Sequence, residues 1–596
     1  MRYSTVAQIY GKMEGTTKRL ELIGHLVELI LKTPKEVIDK VVYLTQGKLY
    51  PDFMGVEIGV AEKLAVRVIA LVASIDQKEV ESSYKKTGDM GSTTEQLLRS
   101  RVQRTLLSKP LTVEVVYESL DRIANTSGQG SLETKLRLLS SLLNHSTPKE
   151  AKYLMRTVMG QLRLGIADYT VLDALAMAYT GDKTNRGYLE RAYNLSSDLG
   201  AVAKTVAEQG LDGVKKYQVT VGKPIRPMLA ERMETAKEIV QKLRGKCAAE
   251  YKLDGERLQI HKTNAKALIF SRRLENITNH YPDAVEATLK HVQAVEAILE
   301  AEVVAVNFET GEYLPFQELM HRRRKYGIEE AMKQYPTVLN YFDLLYADGA
   351  DYTPKSYMDR RRALENIVET NDVVRIVPSI VTDDPGKIED FMQQAIADGC
   401  EGLLIKDLNS VYRAGAREFS WIKLKREYRS ELTDTIDLVI VGSFYGRGRR
   451  AGKYGTFLLS SYDKGTGRFP TATKIGTGFT DDDLDAFPKL LKPHQVPRKD
   501  PAVDSALEAD VWFRPKIVIE TIASEITLSP IHPCGMNAIR KGSGLALRFP
   551  KFTGRIRDDK GAEDATSVSE IIQMYKRQLK RIGEAPPEVQ SPQRSI

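Results

Sequence analysis

Residues 250–257 read Glu-Tyr-Lys-Leu-Asp-Gly-Glu-Arg, a lysine two residues before Asp254-Gly255 and five before Arg257, with apolar, strand-like sequence on either side. An Asp-Gly pair between two such runs predicts a two-residue hairpin, because a tight connection needs positive φ and Asp-Gly tolerates it. Lys252 is then expected at a strand end, rigidly held. A fixed lysine beside carboxylates and a second cation is the setting in which an amine loses its proton and attacks phosphorus. The alternative is a surface lysine next to a turn. At ordinary residue usage K-x-D-G arises by chance in roughly one chain in ten of this length, so the residues around it decide the reading.

A chain of 596 residues exceeds what one core supports and is expected to divide into three or four domains. Residues 1–220 carry helical periodicity: Ile58, Ala61, Leu64, Ala65, Val68, Ile69 and Val72 recur at three and four, as do Leu136, Leu139 and Leu143. An all-helical domain is expected there. Ser127-Gly128-Gln129-Gly130-Ser131 leads into a helix and offers backbone N–H groups to a phosphate, or serves as a plain helix cap. Val221–Leu229, with Gly222, Pro224 and Pro227, reads as a linker. Residues 221–428 mix strand runs with short helices, an α+β domain. Residues 429–582 hold short strands with Gly-rich connections, a small β-barrel. The tail 583–596 is expected to be disordered.

Hydrophobic content of 42% and charged content of 28% are those of a soluble globular protein, and no apolar run approaches the roughly 20 residues needed to cross a bilayer. No signal peptide is evident, so an intracellular, cytoplasmic location is expected. Cys247, Cys400 and Cys534 are far apart, which argues against a structural zinc site or a disulfide framework. The surplus of 87 basic over 79 acidic residues is mild, so a polyanion would be met by local patches. Arg322–Lys325, Arg360–Arg362 and Arg447–Lys453 are such patches, or solvated faces.

The segments after Lys252 supply what nucleotidyl transfer to an amine requires. Phe342 could stack on a purine, or be a buried strand aromatic, and Glu250 is near enough to serve the base edge. Arg257, Arg272, Arg417 and the Lys423/Lys425 pair could hold ribose and phosphates. Lys-x-Lys on one strand face places two cations side by side, which favours an anion between them. Glu302 and Glu401 are each expected to begin an apolar strand that could bring them together, and offer hard oxygen ligands to magnesium, or are solvated strand-end carboxylates. Arg555, Arg557, Asp558 and Lys560 form a basic cluster, suited to closing over pyrophosphate or to touching DNA.

The ordered set E-Y-K-L-D-G-E-R, S-R-R-L-E-N, L-E-A-E, P-F-Q-E-L, Y-F-D-L-L-Y, E-G-L-L-I-K, W-I-K-L-K and R-F-P-K-F-T-G-R-I-R-D-D-K resembles the ATP-dependent DNA ligases of archaeal and eukaryotic replicative type, over nearly the whole chain. Gly88–Gly91, Ser127–Ser131 and Gly160–Gly165 resemble that family's DNA-binding domain. The resemblance implies a helical DNA-binding domain, a nucleotidyltransferase (adenylation) domain and a C-terminal OB-fold. It implies Lys252 as the adenylated nucleophile, with Glu250, Arg257, Arg272, Glu302, Phe342, Arg417 and Lys423 around ATP and Glu302 and Glu401 as Mg2+ ligands. L-E-A-E stands where the family more usually has L-D-G-E, which alters the turn and keeps the ligand. Nicked duplex DNA is the implied partner of a monomeric enzyme. Gln103-Arg104-Thr105-Leu106-Leu107 resembles a sliding-clamp-binding motif without its aromatic pair, and packing of Leu106 and Leu107 is the favoured alternative. RNA ligases and mRNA-capping guanylyltransferases share the K-x-D-G core, but the helical N-terminal part favours a DNA ligase. An NAD-dependent ligase would carry a four-cysteine zinc site. A catalytically dead DNA-binding scaffold would not need Lys252, Glu302 and Glu401 intact.

Overall fold

The computed structural model describes residues 1–99, 110–306, 316–320, 322, 328–398, 400–425, 435–446, 453–523, 525–529, 531–548 and 550–580. The segment 103–107, residues 323–325 and 447–452, and the tail 583–596 lie outside the described residues. The chain forms two compact units, one from Met1–Tyr84 and Met90–Leu424, the other from the described residues after Leu424 together with Lys85–Asp89.

The first part of the larger unit is helical, with helices such as Tyr3–Glu14, Arg19–Lys32, Glu62–Ala73, Val113–Ala124, Ser131–Asn144, Pro148–Val158, Asp168–Thr180 and Leu199–Lys215. Their apolar faces meet in one core that includes Tyr10, Leu26, Val68, Leu139, Leu154, Leu175 and Val202. Local chemistry starts these helices where the sequence provides it: Thr147 and Glu150 form a capping box around Pro148. The periodic run that begins at Ile58 becomes helical only at Glu62. Ile58 and Val60 are buried as well, so a coil segment continues the apolar spacing without sharing the helix. Gly130, at the N-cap of Ser131–Asn144, lies in the left-handed region with φ 77°, and no side chain caps this helix.

Two antiparallel-rich sheets follow the connecting coil. Their strands, in chain order, are β1 (Leu229–Arg232), β2 (Cys247–Lys252), β3 (Glu256–Lys262), β4 (Ala267–Ser271), β5 (Ala297–Ala305), β6 (Thr337–Ala347), β7 (Ala350–Asp351), β8 (Val374–Ile376), β9 (Ser379–Thr382), β10 (Gly402–Asp407) and β11 (Arg417–Lys425). One sheet has the order β1-β11-β10-β2-β9, the other β4-β3-β5-β6-β7 with β8 beside β6. In the first, Cys247, Ala249, Tyr251, Leu403 and Ile405 pack with Ile239, Ile388 and Met392 of the helices Ala236–Leu243 and Pro385–Ala397. In the second, Leu258, Ile260, Leu299, Ala301, Val303 and Tyr341 pack with Tyr281, Ala284 and Leu364. Strand alternation then sends Glu250, Lys252 and Lys406 to the opposite face of one sheet and Arg257, Gln259, Glu300 and Glu302 to the opposite face of the other. These faces meet: Arg257 lies over Trp421 at 5.8 Å and Lys406 over Phe342 at 5.1 Å.

This arrangement corrects the hairpin expected at Asp254-Gly255. β2 and β3 belong to different sheets, and Leu253–Gly255 is the crossover between them. Gly255 is absent from the positive-φ residues; its constraint is proximity. A Cβ there would lie 2.2 Å from the Val303 carbonyl oxygen and 2.9 Å from Val304 Cγ2. A second correction concerns Glu302, which lies well inside β5, whereas Glu401 directly precedes β10.

The smaller unit is β-rich. Its strand β12 (Ile436–Tyr445) pairs with β13 (Tyr454–Ser460), with Val511–Phe513 and with Val518–Ile522, while β13 also pairs with β14 (Phe469–Ile475). Ile436, Leu438, Ile440, Phe457, Leu459, Phe513, Ile519 and Phe552 fill its core. The C-terminal cations are engaged here. Arg557 and Lys560 both pair with Asp437, at 2.6 and 2.7 Å, and Arg555 lies 3.7 Å from Glu520. Lys453 pairs with Asp485 at 2.5 Å.

Substituting Gly255→Ala is expected to cost about 1–3 kcal/mol of stability, the range for overpacking against fixed neighbours. A urea midpoint equal to that of the unsubstituted chain would show that the crossover yields more freely than its backbone contacts imply.

Candidate active site

Lys252 is the last residue of β2, opposite Gly402 of β10, and its ammonium forms an ion pair with Glu401. The Glu401 N–H donates to the Lys252 carbonyl at 2.9 Å, so nucleophile candidate and carboxylate are also tied through backbone. Asp254, Glu302 and Glu401 gather around this amine. Burial pushes the Glu302 carboxyl up to about 7; Lys252 and Arg257 pull it down while Glu401 and Asp254 push it further up. Asp254 is raised by burial and then by Glu401. Carboxylate oxygens of this kind are the hard donors that Mg2+ takes. Among the described residues no group of three His, Cys, Asp or Glu side chains is already arranged to hold a metal ion.

Arg257, near the start of β3, donates to the Met228 carbonyl at 2.9 Å and to Glu300 at 2.5 Å, with its guanidinium 5.4 Å from the Phe342 ring. Glu300 is fully buried and also accepts from Tyr412 at 3.0 Å and Gln259 at 3.3 Å. Glu250 is equally buried. It accepts from Tyr357 at 2.5 Å and Arg361 at 3.1 Å and pairs with Lys406 at 2.6 Å. Its carboxylate is thus engaged by three protein groups beside the cleft. Lys406 is wholly buried, with Trp421, Tyr357 and Phe342 rings 4.4, 4.9 and 5.1 Å away. Burial lowers its pKa against the opposing pull of Glu250. Phe342 is 8% exposed, at the register shift where β6 faces Glu300 and Ala301 of β5.

Lys423 and Lys425 lie on β11 beside this cluster, and both are half-buried. Arg417, at the first position of β11, is exposed and donates to the Ala230 carbonyl at 3.1 Å. Arg272 is exposed directly after β4. Neither is drawn into the ion-pair network around Lys252. Arg322, Arg360 and Arg361, drawn from two of the basic patches, form internal ion pairs. Arg360 makes a two-pronged contact with Asp343 at 2.7 and 3.0 Å, Arg361 serves Glu250, and Arg322 grips Asp283 with two nitrogens at 2.8 Å. Removing one partner of such a buried pair typically costs about 3–5 kcal/mol.

The sequence reading missed Asp254 as a member of the carboxylate group, as well as Glu300, Gln259, His261 and Lys406. Period-two alternation was the available signal: Glu300 shares a face with Glu302, and Arg257-x-Gln259-x-His261 places three polar groups on one side of an otherwise apolar strand. His261 is buried, accepts from the Gly222 N–H at 2.9 Å and lies 3.0 Å from Gln259 Oε1. Burial pushes it down to about 3.

The description "DNA ligase N terminus" matches residues 2–176, "ATP dependent DNA ligase domain" residues 227–425, and "ATP dependent DNA ligase C terminal region" residues 450–560. A DNA ligase of Cenarchaeum symbiosum (strain A) is 51% identical over 589 residues, covering 99% of this chain and all of its own length. The chain belongs to the ATP-dependent DNA ligases. DNA ligase 2 of Thermofilum pendens is 53% identical over 588 residues, covering 97% of this chain and 98% of its own. The solved structure Pmar-Lig_PreS3 shares the fold at a TM-score of 0.53 and 17% identity, over 92% of this chain and 99% of that one. The ligase thus combines a helical N-terminal part, an adenylation part and a β-rich C-terminal part. No helix among its described residues is long and apolar enough to cross a membrane.

The buried His261 gives the ligase a signed pH dependence. Its folded pKa lies below the unfolded value near 6.5, so between the two the unfolded chain binds more protons. Stability from this group is complete above pH 6.5 and falls as pH drops toward about 3. Stability curves are expected to show His261→Asn with a lower plateau and a shallower acid decline, by a few kcal/mol across that window at about 1.4 kcal/mol per unit. Parallel curves would remove His261 from the acid response.

Proposed function

We propose that this ligase seals 5′-phosphate/3′-hydroxyl nicks in duplex DNA, in replication, repair and recombination, with Lys252 as the residue that carries AMP. The observation that carries the reading is the placement of Lys252 at the strand end between two polar sheet faces, paired with Glu401 and beside Arg257. The lysine nitrogen attacks the α-phosphorus of ATP and pyrophosphate leaves. AMP then passes to the 5′-phosphate of the nick, and the 3′-hydroxyl displaces it as the phosphodiester bond forms.

An ordinary lysine is protonated at neutral pH. It must lose that proton to attack, and neighbouring cations such as Arg257 disfavour a second positive charge. Arg257, Arg272, Arg417 and Lys423 are the proposed phosphate and ribose contacts, and Phe342 and Glu250 the base contacts. Glu302 and Glu401 would hold Mg2+, which supplies charge neutralisation at the phosphates when bound. The fit rests on the hard oxygen donors that Glu302 and Glu401 place around the Lys252 amine. The functional division follows at residues 1–220, 221–428 and 429–582, with 583–596 as a tail. We assign DNA affinity chiefly to residues 1–220, where the uncapped helix start at Gly130 offers backbone N–H groups to a phosphate. A monomer acting inside the cell completes the reading.

Incubated with ATP, the full chain is expected to gain one AMP on the Lys252 peptide by mass spectrometry. Lys252→Ala should gain none, and an acid-labile adduct on that variant would sink the assignment. Removing residues 1–215 should leave self-adenylation within about tenfold and reduce nick sealing by far more, since phosphate contacts dominate affinity. Equal sealing by the truncated chain would give the helical part another task.

A further inference from the structure

The coil that joins the helical part to β1 runs along the site-facing side of β3, and every second residue of β3 holds it. Arg257 Nη1 donates to the Met228 carbonyl at 2.9 Å. The Gln259 amide brackets Ile225, accepting from its N–H at 2.6 Å and donating to its carbonyl at 2.9 Å, as the peptide of a neighbouring strand would. His261 Nδ1 accepts from the Gly222 N–H at 2.9 Å. Three ties in seven residues make this segment a docked element, although it has no regular secondary structure.

Proton bookkeeping gives the ties a direction. A backbone N–H only donates, so Nδ1 of His261 is bare and Nε2 carries the hydrogen. That hydrogen points to Gln259 Oε1 at 3.0 Å, which settles the amide orientation. Gln259 Nε2 is left to donate to Ile225 and to Glu300 Oε1 at 3.3 Å, while Arg257 Nη2 donates to Glu300 Oε2 at 2.5 Å. Reversing any one bond sets donor against donor or acceptor against acceptor further along. The chain from Gly222 therefore ends on the same carboxylate that orients Arg257.

We propose that Gln259 and His261 are positioning residues that make docking of the segment Gly222–Met228 and placement of Arg257 a single event. Nucleotide binding at Arg257 and seating of the connecting segment then stabilise each other, by the reciprocity that governs any two linked equilibria. The proposal rests on Arg257 being a nucleotide contact. It assigns to the segment between two functional parts a role in ATP binding, so that the nucleotide state is reported to the chain leading into the helical part.

The test compares the full-length wild type with Gln259→Leu, His261→Asn and Arg257→Lys, measuring KM and kcat for self-adenylation and hydrogen exchange of residues 219–229 with and without ATP. His261→Asn keeps an acceptor for Gly222 and loses the donor to Gln259, so it decides the matter if Gln259→Leu does not fold. ATP is expected to slow exchange at Gly222 and Ile225 in the wild type. In Gln259→Leu that protection should vanish and KM should rise about tenfold, the scale of one lost hydrogen bond to a charged group, with kcat changed by less than about twofold. His261→Asn should show the same pattern more weakly. Lower thermal stability with ATP-dependent protection and KM unchanged in both variants would reduce these residues to a structural role and overturn the proposal. An unchanged KM in Arg257→Lys would instead overturn the nucleotide contact beneath it, whereas a raised KM there with a normal Gln259→Leu would overturn the coupling alone.

Discussion

Three carboxylates with almost no exposed surface, Glu250, Glu300 and Asp343, lie between or beneath the two sheets of the adenylation part, and each has to be matched by its own cation. Lys406 and Arg361 meet Glu250, Arg257 meets Glu300, and Arg360 meets Asp343. This pairing sets much of what surrounds it. It places Arg257 between Phe342 and Trp421, encloses Lys406 among three aromatic rings, and draws the helix Tyr357–Ile367 toward the cleft through Tyr357, Arg360 and Arg361. A site meant to receive a polyphosphate has to keep positive charge in low-dielectric surroundings before its ligand arrives. Buried counter-charges are how this one does so.

Charge is distributed unevenly along the cleft. Away from Lys252 the buried anions Glu250, Glu300 and Asp343 are each met by at least one cation. Around Lys252 the balance tips toward negative, with Asp254, Glu302 and Glu401 close to one amine. The imbalance is where the proposed Mg2+ ligands Glu302 and Glu401 lie.

Much of this was legible in the chain. Ordered motifs gave the three-part architecture and the position of Lys252, because a strand end and a helical periodicity are local properties. The crossover was not legible: Asp-Gly is compatible with a hairpin, and only the pairing of β2 with β9 and β10, and of β3 with β4 and β5, separates the two outcomes. Arg360 and Arg361 read as a surface patch for a similar reason. A run of like charges looks solvated until tertiary structure supplies Asp343 and Glu250 from distant strands. His261 and Gln259 were hidden because their partners are backbone groups of a coil, which leave no compositional trace.

The crossover at Leu253–Gly255 has a mechanical consequence. It joins one sheet to the other at the point where Lys252 ends β2 and Arg257 lies one residue into β3, with Gly255 pressed against the Val303 carbonyl. Two plates fastened at one margin move least at the fastening and most at the far rim. Any relative motion of the sheets would therefore leave the separation of the Lys252 amine and the Arg257 guanidinium nearly constant. The enzyme keeps its reacting groups at the fulcrum.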